Sequence, residues 1–270
     1  MALTDFQRDI CRLLADQRIR SGESYVASGA ALNETLGTSR VSRDLDLFHD
    51  TAEALVVSWQ TDRASLEAAG YRVVLLRERP SFVEVEIWRG QDSVVIQWTQ
   101  DSAYRFFPLV RHQDLGLTLH PFDLATNKVL ALVGRVEPRD FIDTLACDEG
   151  VQPLGYLAWA ACGKDPGFSP LAILDHAARA NRYAVAEFAG LAFEGTAPDP
   201  AALSRRWRQA LDLARQVVGV LPPEEAGRAV LTKDALLFRG DPGSLRAALD
   251  HRVLAFHEGT IRGAFPRILR

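Results

Sequence analysis

The first 150 residues alternate short strand-like runs with longer stretches of helical spacing. Apolar positions predict helices over Thr4–Arg20, with Thr4 as the N-cap, and over Thr51–Ala69. Over Asp44–Phe48 polar and apolar residues alternate with a period of two, which predicts a strand with one buried face. Three more strands are predicted over Tyr71–Arg77, Phe82–Trp88 and Ser93–Thr99. Three shorter helices are predicted over Ala30–Leu36, Asp123–Val136 (with Asp123 as the N-cap) and Pro138–Leu145.

Beyond residue 150 the pattern is almost entirely helical. Ser169–Pro170 predicts a helix start, and the helix is expected to run to about Phe193. Further helices are predicted over Ala201–Val218, after Pro200, and over Pro242–Phe256. We therefore expect an α+β protein in which residues 1–150 form a small mixed sheet flanked by helices. Residues 151–270 are expected to form a mostly helical second domain.

Composition and charge exclude several classes of protein. The 270 residues are 47% hydrophobic and 24% charged, which is typical of soluble globular proteins rather than disordered chains. The net charge of −4 leaves no global basic field for nucleic acid. Three widely separated cysteines favour a reducing compartment, and no apolar run approaches the roughly 20 residues of a membrane span. The sequence thus predicts a cytoplasmic protein without a membrane partner.

Lysine is unusually rare in this chain. Only three of the 31 basic residues are lysines, namely Lys128, Lys164 and Lys233. A GC-rich genome explains the preference for arginine wherever only a charge is needed. A lysine that persists in such a chain can mark a position where a compact ammonium is required.

Asp44 and Asp46 are the strongest candidates for chemistry. Since they are two residues apart on a predicted strand, both carboxylates project from one face, while Leu45 and Leu47 enter the core. Two carboxylates this close repel each other unless a cation lies between them, and oxygen ligands of this kind suit Mg²⁺. The alternative is an exposed strand face whose acids meet water, Arg40 or Arg43.

Ser28 and Gly29 form a turn between a short predicted strand, Tyr25–Ser28, and the predicted helix Ala30–Leu36. Free N–H groups and the helix dipole favour a phosphate at such a turn, and glycine lets the backbone approach a ligand closely. An ordinary tight turn is the alternative. The turn gains meaning only in combination with the helix and the paired aspartates that follow it.

These residues together resemble the DNA-polymerase-β-like nucleotidyltransferases, and within them the AbiEii-type abortive-infection toxins. The resemblance covers roughly residues 20–150 and rests on four short motifs. These are Ser28-Gly29-x-Ala31-Leu32, Arg40-x-Ser42-x-Asp44-x-Asp46, Asp123-Leu124-Ala125-x-x-Lys128-x-x-Ala131-Leu132 and Arg135-x-x-x-Arg139-Asp140-x-x-Asp143. The combination is far more specific than any one motif.

The resemblance implies an enzyme that moves a nucleoside monophosphate from an NTP to an acceptor and releases pyrophosphate. Asp44 and Asp46 would hold the Mg²⁺ cofactor, and Lys128 would contact the nucleotide phosphates. The remaining implied residues are catalytic (Asp140) or bind the nucleotide (Ser28, Gly29, Arg40, Ser42 and Asp143). The resemblance also implies tRNA as an acceptor and a cognate antitoxin as a partner, within a toxin–antitoxin or phage-defence system.

Exposed charges are the alternative for the last two motifs. Lys128 is then one cation on the solvent side of an amphipathic helix. Asp140 and Asp143 are then an exposed charge cluster on a helix face. The spacing does not say which of the two aspartates faces the site.

Gln97 departs from the family pattern, which places a third carboxylate at this position of a neighbouring strand. Glutamine binds a metal only weakly and cannot serve as a base at neutral pH. If Trp88 pairs with Ser93, Glu84 lies opposite Gln97 and is a candidate substitute; Glu84 and Glu86 are otherwise solvent-facing. Two alternative functions therefore stay open: an inactive nucleotide-binding pseudo-enzyme, and a small-molecule (aminoglycoside-like) nucleotidyltransferase, which the acidic net charge favours over a bulk RNA binder.

Three other residues have structural interpretations. His49 follows the aspartate pair and is interpreted as a polar loop residue. Trp98, opposite Val83 in the same hairpin register, is expected in the core. Trp207 lies within an arginine cluster, and we expect it to turn inward from a solvated helix face.

Overall fold

The computed structural model describes residues 3–42, 44–180, 183 and 185–266. In chain order its first elements are α1 (Asp5–Ser21), β1 (Ser24–Ala27), α2 (Ser28–Leu36), β2 (Arg40–Val41), β3 (Asp44–His49), α3 (Ala52–Ala68), β4 (Arg72–Arg79), β5 (Phe82–Arg89), β6 (Asp92–Gln100), β7 (Tyr104–Arg105), β8 (Val110–His112) and β9 (Gly116–Thr118). The later elements are α4 (Pro121–Arg135), α5 (Pro138–Gly150), α6 (Leu154–Ala161), α7 (Pro170–Ala177), α8 (Val185–Ala189), β10 (Ala192–Phe193), α9 (Pro200–Val218), a 3-10 helix (Pro223–Glu225), β11 (Ala229–Thr232), α10 (Pro242–Asp250), β12 (Leu254–His257) and β13 (Thr260–Ile261).

The chain divides into two compact units. The first unit contains the described residues of 1–103, 108–120 and 192–195, and the second contains those of 104–107, 121–191 and 196–270. The sequence predicts a division at residue 150. It falls earlier because α4 and α5 pack against α6 and so belong with the second unit.

The first unit is built on a seven-stranded mixed sheet. The strand order is β4-β5-β6-β3-β1-β9-β8, with β3 parallel to β6, β1 parallel to β9 and the other neighbours antiparallel. Helices α1 and α3 contact these strands, and side chains such as Leu47, Val85 and Ile96 are fully buried on the covered face. The predicted mixed sheet flanked by helices is confirmed, and so is the mostly helical C-terminal region.

The β5–β6 hairpin has the predicted register. Trp88 pairs with Ser93, and Val83 pairs with Trp98. Gly90 adopts a φ of 63° at the turn, a left-handed conformation that glycine reaches without steric cost. Trp98 is fully buried, and its ring centroid lies 5.0 Å from that of Trp59 on α3. The predicted place of Trp98 in the core is therefore confirmed.

Two of the predicted C-terminal helices are shorter than expected. The helix predicted from Ser169 to about Phe193 ends at Ala177, and the Ala192–Phe193 segment forms β10, which pairs with β2 of the first unit. The helix predicted over Pro242–Phe256 ends at Asp250, and the remainder enters β12, which pairs with β11. In both cases strand pairing with a distant segment outweighs the local helical pattern.

The other C-terminal predictions agree with the structure. Helix α9 begins at Pro200 and ends at Val218, and Trp207 on it is fully buried. Cys147 and Cys162 are buried. Within the described ranges, none of the helices combines the length and apolar character that crossing a membrane requires.

Candidate functional site

Asp44 and Asp46 lie on the open face of the sheet in the first unit. Along β3 the two aspartates are half-buried, whereas Leu45 and Leu47 are 1% and 2% exposed. The predicted projection of both carboxylates from one face is therefore confirmed. Arg43, which the sequence offered as a partner for these acids, lies outside the described residues.

The first turn of α2 lies beside Asp46. Ala27, the N-cap of α2, is the direct partner of Asp46 on the neighbouring strand β1. Ala27 has no side chain that can cap the helix, and Ser28 and Gly29 form the first turn. The first N–H groups of a helix favour an anion, so this turn places an anion-binding end next to a carboxylate. The side chain of Ser28 lies outside the described part of the chain.

Gly29 packs closely against a buried arginine. A Cβ atom at position 29 would come within 2.5 Å of Nη2 of Arg40 and 3.6 Å of Oγ of Ser42. Arg40 itself is only 5% exposed. Gly29 is thus needed for the approach of the Arg40 guanidinium to the first turn of α2. The sequence predicts a close approach of a ligand at Gly29, whereas in the structure the group that approaches is the Arg40 side chain.

Ser42 links this turn to the aspartate pair. Its Oγ donates to the main-chain oxygen of Asp44 at 3.2 Å and lies 3.4 Å from Oδ1 of the same residue. The carbonyl oxygen of Ser42 accepts a hydrogen bond of 3.0 Å from Nε2 of Gln7 on α1. Gln7 also forms the capping box with Thr4, which confirms the predicted N-cap. A helix cap therefore holds the loop that carries Ser42.

Three polar residues form a row across adjacent strands on this face. Gln97 on β6 pairs with Asp46 on β3. On its other side it pairs with Glu84 on β5, as the hairpin register predicted. Nε2 of Gln97 donates to Oε1 of Glu84 at 2.8 Å. Glu86 accepts from the hydroxyl of Ser93 at 3.4 Å. The position where the resemblance implied a carboxylate is therefore occupied by an amide that is bonded to a carboxylate on the next strand.

The donor set on this face fits a magnesium ion. Asp44 and Asp46 supply carboxylate oxygens, and Mg²⁺ is usually held by one or two carboxylates together with water and substrate phosphates. Among the described residues, no group of three His, Cys, Asp or Glu side chains lies close enough to hold a metal. The aspartate pair can therefore serve a metal that completes its shell from the substrate, but not a metal enclosed by protein ligands.

Lys128, Asp140 and Asp143 form a buried ion cluster in the second unit. Nζ of Lys128 on α4 lies 3.0 Å from Oδ1 of Asp140 and 3.0 Å from Oδ2 of Asp143, both on α5. Nε of Arg135 lies 2.7 Å from Oδ2 of Asp140. The Lys128 side chain is 6% exposed and both aspartates are fully buried, so the exposed-charge alternatives for these residues are wrong.

The cations of this cluster keep Asp140 ionised. Burial by itself raises the pKa of Asp140, because it disfavours a charged carboxylate. The charges and hydrogen bonds of Lys128 and Arg135 outweigh burial and hold the pKa below its usual value. Asp140 is therefore ionised at neutral pH, although it is fully buried.

Lys164 takes part in a second buried ion pair that the sequence did not indicate. Its Nζ lies 2.8 Å from Oδ1 of Asp123 and donates to Oδ1 of Asn127 at 2.8 Å. Asp123 also accepts from the main-chain N–H groups of Phe106 and Phe107 at 2.8 and 3.0 Å. The predicted helix cap at Asp123 is wrong, since α4 begins two residues earlier at Pro121. The partners of Asp123 lie 16 to 41 residues away in sequence, so the spacing of residues around Asp123 does not indicate them.

His49 belongs to strand β3 and not to a loop. It is the last residue of β3 and is fully buried, and its Nδ1 lies 3.3 Å from the main-chain oxygen of Thr99. Burial lowers the pKa of His49 to about 4, so the ring is neutral at physiological pH. The loop interpretation is wrong because β3 continues one residue further than the predicted strand.

The predicted site residues belong to two different units of the chain. Within the first unit the structure brings Gly29, Arg40 and Ser42 together with the aspartates of β3. Lys128, Asp140 and Asp143 belong to the second unit.

Comparison with known proteins shows a likeness of structure. No known protein family and no curated protein matches the chain by sequence. JHP933 from Helicobacter pylori is 13% identical, with a TM-score of 0.55 over 80% of this chain and 95% of that protein. An H. pylori structure proposed to be a nucleotidyltransferase is 12% identical, with a TM-score of 0.54 over 78% and 94%. MenT4, a nucleotidyltransferase toxin from Mycobacterium tuberculosis, is 11% identical, with a TM-score of 0.49 over 82% and 84%. The chain therefore shares the fold of the two H. pylori proteins.

Proposed function

We propose that this protein is a Mg²⁺-dependent nucleotidyltransferase, which transfers a nucleoside monophosphate from an NTP to an acceptor and releases pyrophosphate. The observation that carries the proposal is the pairing of Asp46 with Ala27, which places a carboxylate beside the first turn of α2. Asp44 lies two residues away on the same face. The shared fold with a protein proposed to be a nucleotidyltransferase supports the same conclusion.

Each residue of this region has a distinct part in the proposed reaction. The first turn of α2 and the Arg40 guanidinium bind the triphosphate, because both present positive potential to an anion. Ser42 orients the Asp44 carboxylate through its hydroxyl. Asp44 and Asp46 would hold the Mg²⁺, which when bound neutralises charge on the phosphates.

Neutralising the aspartate pair tests the proposal. The assay measures incorporation of α-labelled NTPs into total RNA, with Mg²⁺, by the wild type and by the Asp44→Asn plus Asp46→Asn variant. We expect the double variant to lose at least a hundredfold in rate, because transfer depends on charge neutralisation at the phosphates. Asp92→Asn, at an exposed position of the same sheet, is the matched control and should keep the wild-type rate. Equal rates in the wild type and the double variant would refute the mechanism.

Gln97 favours a second candidate, nucleotide binding without transfer. An amide cannot accept the acceptor's proton, and here its N–H is already bonded to Glu84. This candidate predicts Mg²⁺-dependent NTP binding in calorimetry without pyrophosphate release. Detectable release with any acceptor would eliminate it.

The acceptor and the protein partner are also proposals. We propose an RNA acceptor, with tRNA as the specific case, and a cognate antitoxin as the partner that restrains the activity. Supplying purified tRNA or an aminoglycoside alcohol in the same assay separates RNA transfer from small-molecule transfer. If only the aminoglycoside becomes labelled, the acceptor is a small molecule and the RNA proposal is refuted.

A further inference from the structure

The row formed by Glu84, Gln97 and Asp46 spans three neighbouring strands on the open sheet face. Paired positions on adjacent strands point to the same side, so all three side chains project from one face. Each of the three is half-buried and therefore reachable from solvent. A carboxylate thus stands at each end of the row, with the amide between them.

The Glu84 carboxylate is directed toward the aspartate end of this row. Its Oε1 accepts from Nε2 of Gln97 at 2.8 Å, which fixes it on the β6 side. Arg77 is the partner of Glu84 on the other side, on β4, but its guanidinium lies over the ring of Phe82 at 5.9 Å. Among the described residues no cation forms an ion pair with Glu84, so its negative charge is not neutralised by the protein.

The spacing of the row excludes one role for Glu84 and suits another. Neighbouring strands lie about 4.8 Å apart, so the backbones at Glu84 and Asp46 are separated by about 10 Å. In the described part of the chain no third acidic side chain joins the aspartate pair closely enough to share a metal. A group two strands from the metal ligands, with β6 between them, is placed to meet an acceptor that approaches the metal from the β5 side.

We propose that Glu84 is the general base of the transfer, held in place by Gln97; this inference rests on the function proposed above. The acceptor hydroxyl forms a bond from its oxygen to the α-phosphorus of the NTP, and its proton passes to the Glu84 carboxylate. The bond from the α-phosphorus to the β-phosphate oxygen breaks, and that electron pair leaves with pyrophosphate. Glu84 then returns the proton to solvent. The carboxylate missing at position 97 is supplied from the adjacent strand.

Three variants test the role of Glu84. Glu84→Gln removes the basic carboxylate at nearly constant shape. Glu84→Gln combined with Gln97→Glu exchanges the two groups and puts a carboxylate back in the row. Glu86→Gln is the matched control, since Glu86 lies two residues along the same strand and face. Pyrophosphate release with α-labelled NTPs and total RNA gives kcat and KM, and calorimetry with Mg²⁺ and a non-hydrolysable NTP gives binding.

We expect Glu84→Gln to lower kcat about a hundredfold, the usual loss for a general base, and to change KM and nucleotide Kd less than twofold. The exchanged variant should recover at least tenfold in kcat, and Glu86→Gln should match the wild type. Wild-type kcat in Glu84→Gln would overturn the assignment. So would an equal loss in Glu86→Gln, which indicates a general charge effect, or a loss of nucleotide binding in Glu84→Gln.

The assay distinguishes failure of this inference from failure of the proposed function. A wild type that binds the Mg²⁺–nucleotide but releases no pyrophosphate with any acceptor refutes the proposed transfer, and the base assignment with it. A wild type that binds no nucleotide refutes the proposed function itself, and the base assignment with it. Glu84→Gln at the wild-type rate, while the aspartate variant is inactive, refutes the base alone.

Discussion

Replacing Lys128 with methionine separates a structural role for this lysine from a nucleotide-binding one. Its ammonium is 3.0 Å from a carboxylate oxygen of Asp140 and 3.0 Å from one of Asp143, and both aspartates are fully buried. Methionine keeps the length and apolar volume of the side chain but removes the charge. The two carboxylates then lose their shared cation.

The size of the effect follows from burial. Removing one partner of a buried ion pair costs about 3–5 kcal/mol, because the other charge stays buried without compensation. Arg135 still neutralises Asp140, at 2.7 Å, so we expect a loss at the lower end, about 3 kcal/mol. Such a loss is a large part of the 5–15 kcal/mol that typically stabilises a domain.

Urea unfolding followed by far-ultraviolet circular dichroism measures this loss. Lys233→Met, at an exposed position, is the control and should change the free energy of unfolding by less than about 0.5 kcal/mol. A change below about 1 kcal/mol in Lys128→Met, together with loss of Mg²⁺–NTP binding, would refute the structural reasoning and support the phosphate contact that the family resemblance implied.

The same variant has a pH signature. In the wild type the lowered pKa of Asp140 adds stability above the unfolded value of about 3.9, and this contribution is lost as the pH falls through the lower folded value. Lys128→Met lacks much of that contribution. The difference in unfolding free energy between the two proteins should therefore narrow below about pH 4.

Two further predictions concern the first unit. Gly29→Ala places a Cβ 2.5 Å from Nη2 of Arg40, so it should lower the free energy of unfolding by about 1–3 kcal/mol and weaken Mg²⁺–nucleotide binding. Gly134→Ala, in open space on α4, is the control and should raise the free energy of unfolding by up to about 1 kcal/mol. Equal effects of the two substitutions would contradict the close packing at Gly29. The His49 ring should titrate near pH 4 by NMR, and a midpoint near 6.5 would contradict its burial. The free energy of unfolding should fall by up to about 3 kcal/mol as the pH drops from about 6.5 to 4, because over this range only the unfolded chain takes up the proton.

Features set by neighbouring residues could be predicted from the sequence. The register of the β5–β6 hairpin follows from a two-residue turn with Gly90 and from alternating side chains on both strands. The projection of Asp44 and Asp46 follows from the period of a strand. The cap of α1 follows from Thr4, whose hydroxyl accepts a hydrogen bond from the main-chain N–H of Gln7, three residues later.

Features set by distant segments could not be predicted in this way. The Ala192–Phe193 segment carries a helical pattern, yet it pairs with Arg40–Val41, about 150 residues earlier in the chain. Lys128 meets Asp140 only because α4 and α5 pack together. Its rarity in the chain signalled a special position, but no spacing rule identifies an ammonium enclosed by two carboxylates on another helix.

The candidate residues fall into two classes that respond differently to substitution. Asp46 and Glu84 are half-buried on an open sheet face, so neutralising either removes little native stabilisation and acts on binding or rate. Lys128 and Asp140 are enclosed, so substitutions there act first on stability. If Asp46→Asn destabilised the protein as much as Lys128→Met, the sheet face would be held together by its carboxylates. Chemistry would then have to be sought elsewhere in the molecule.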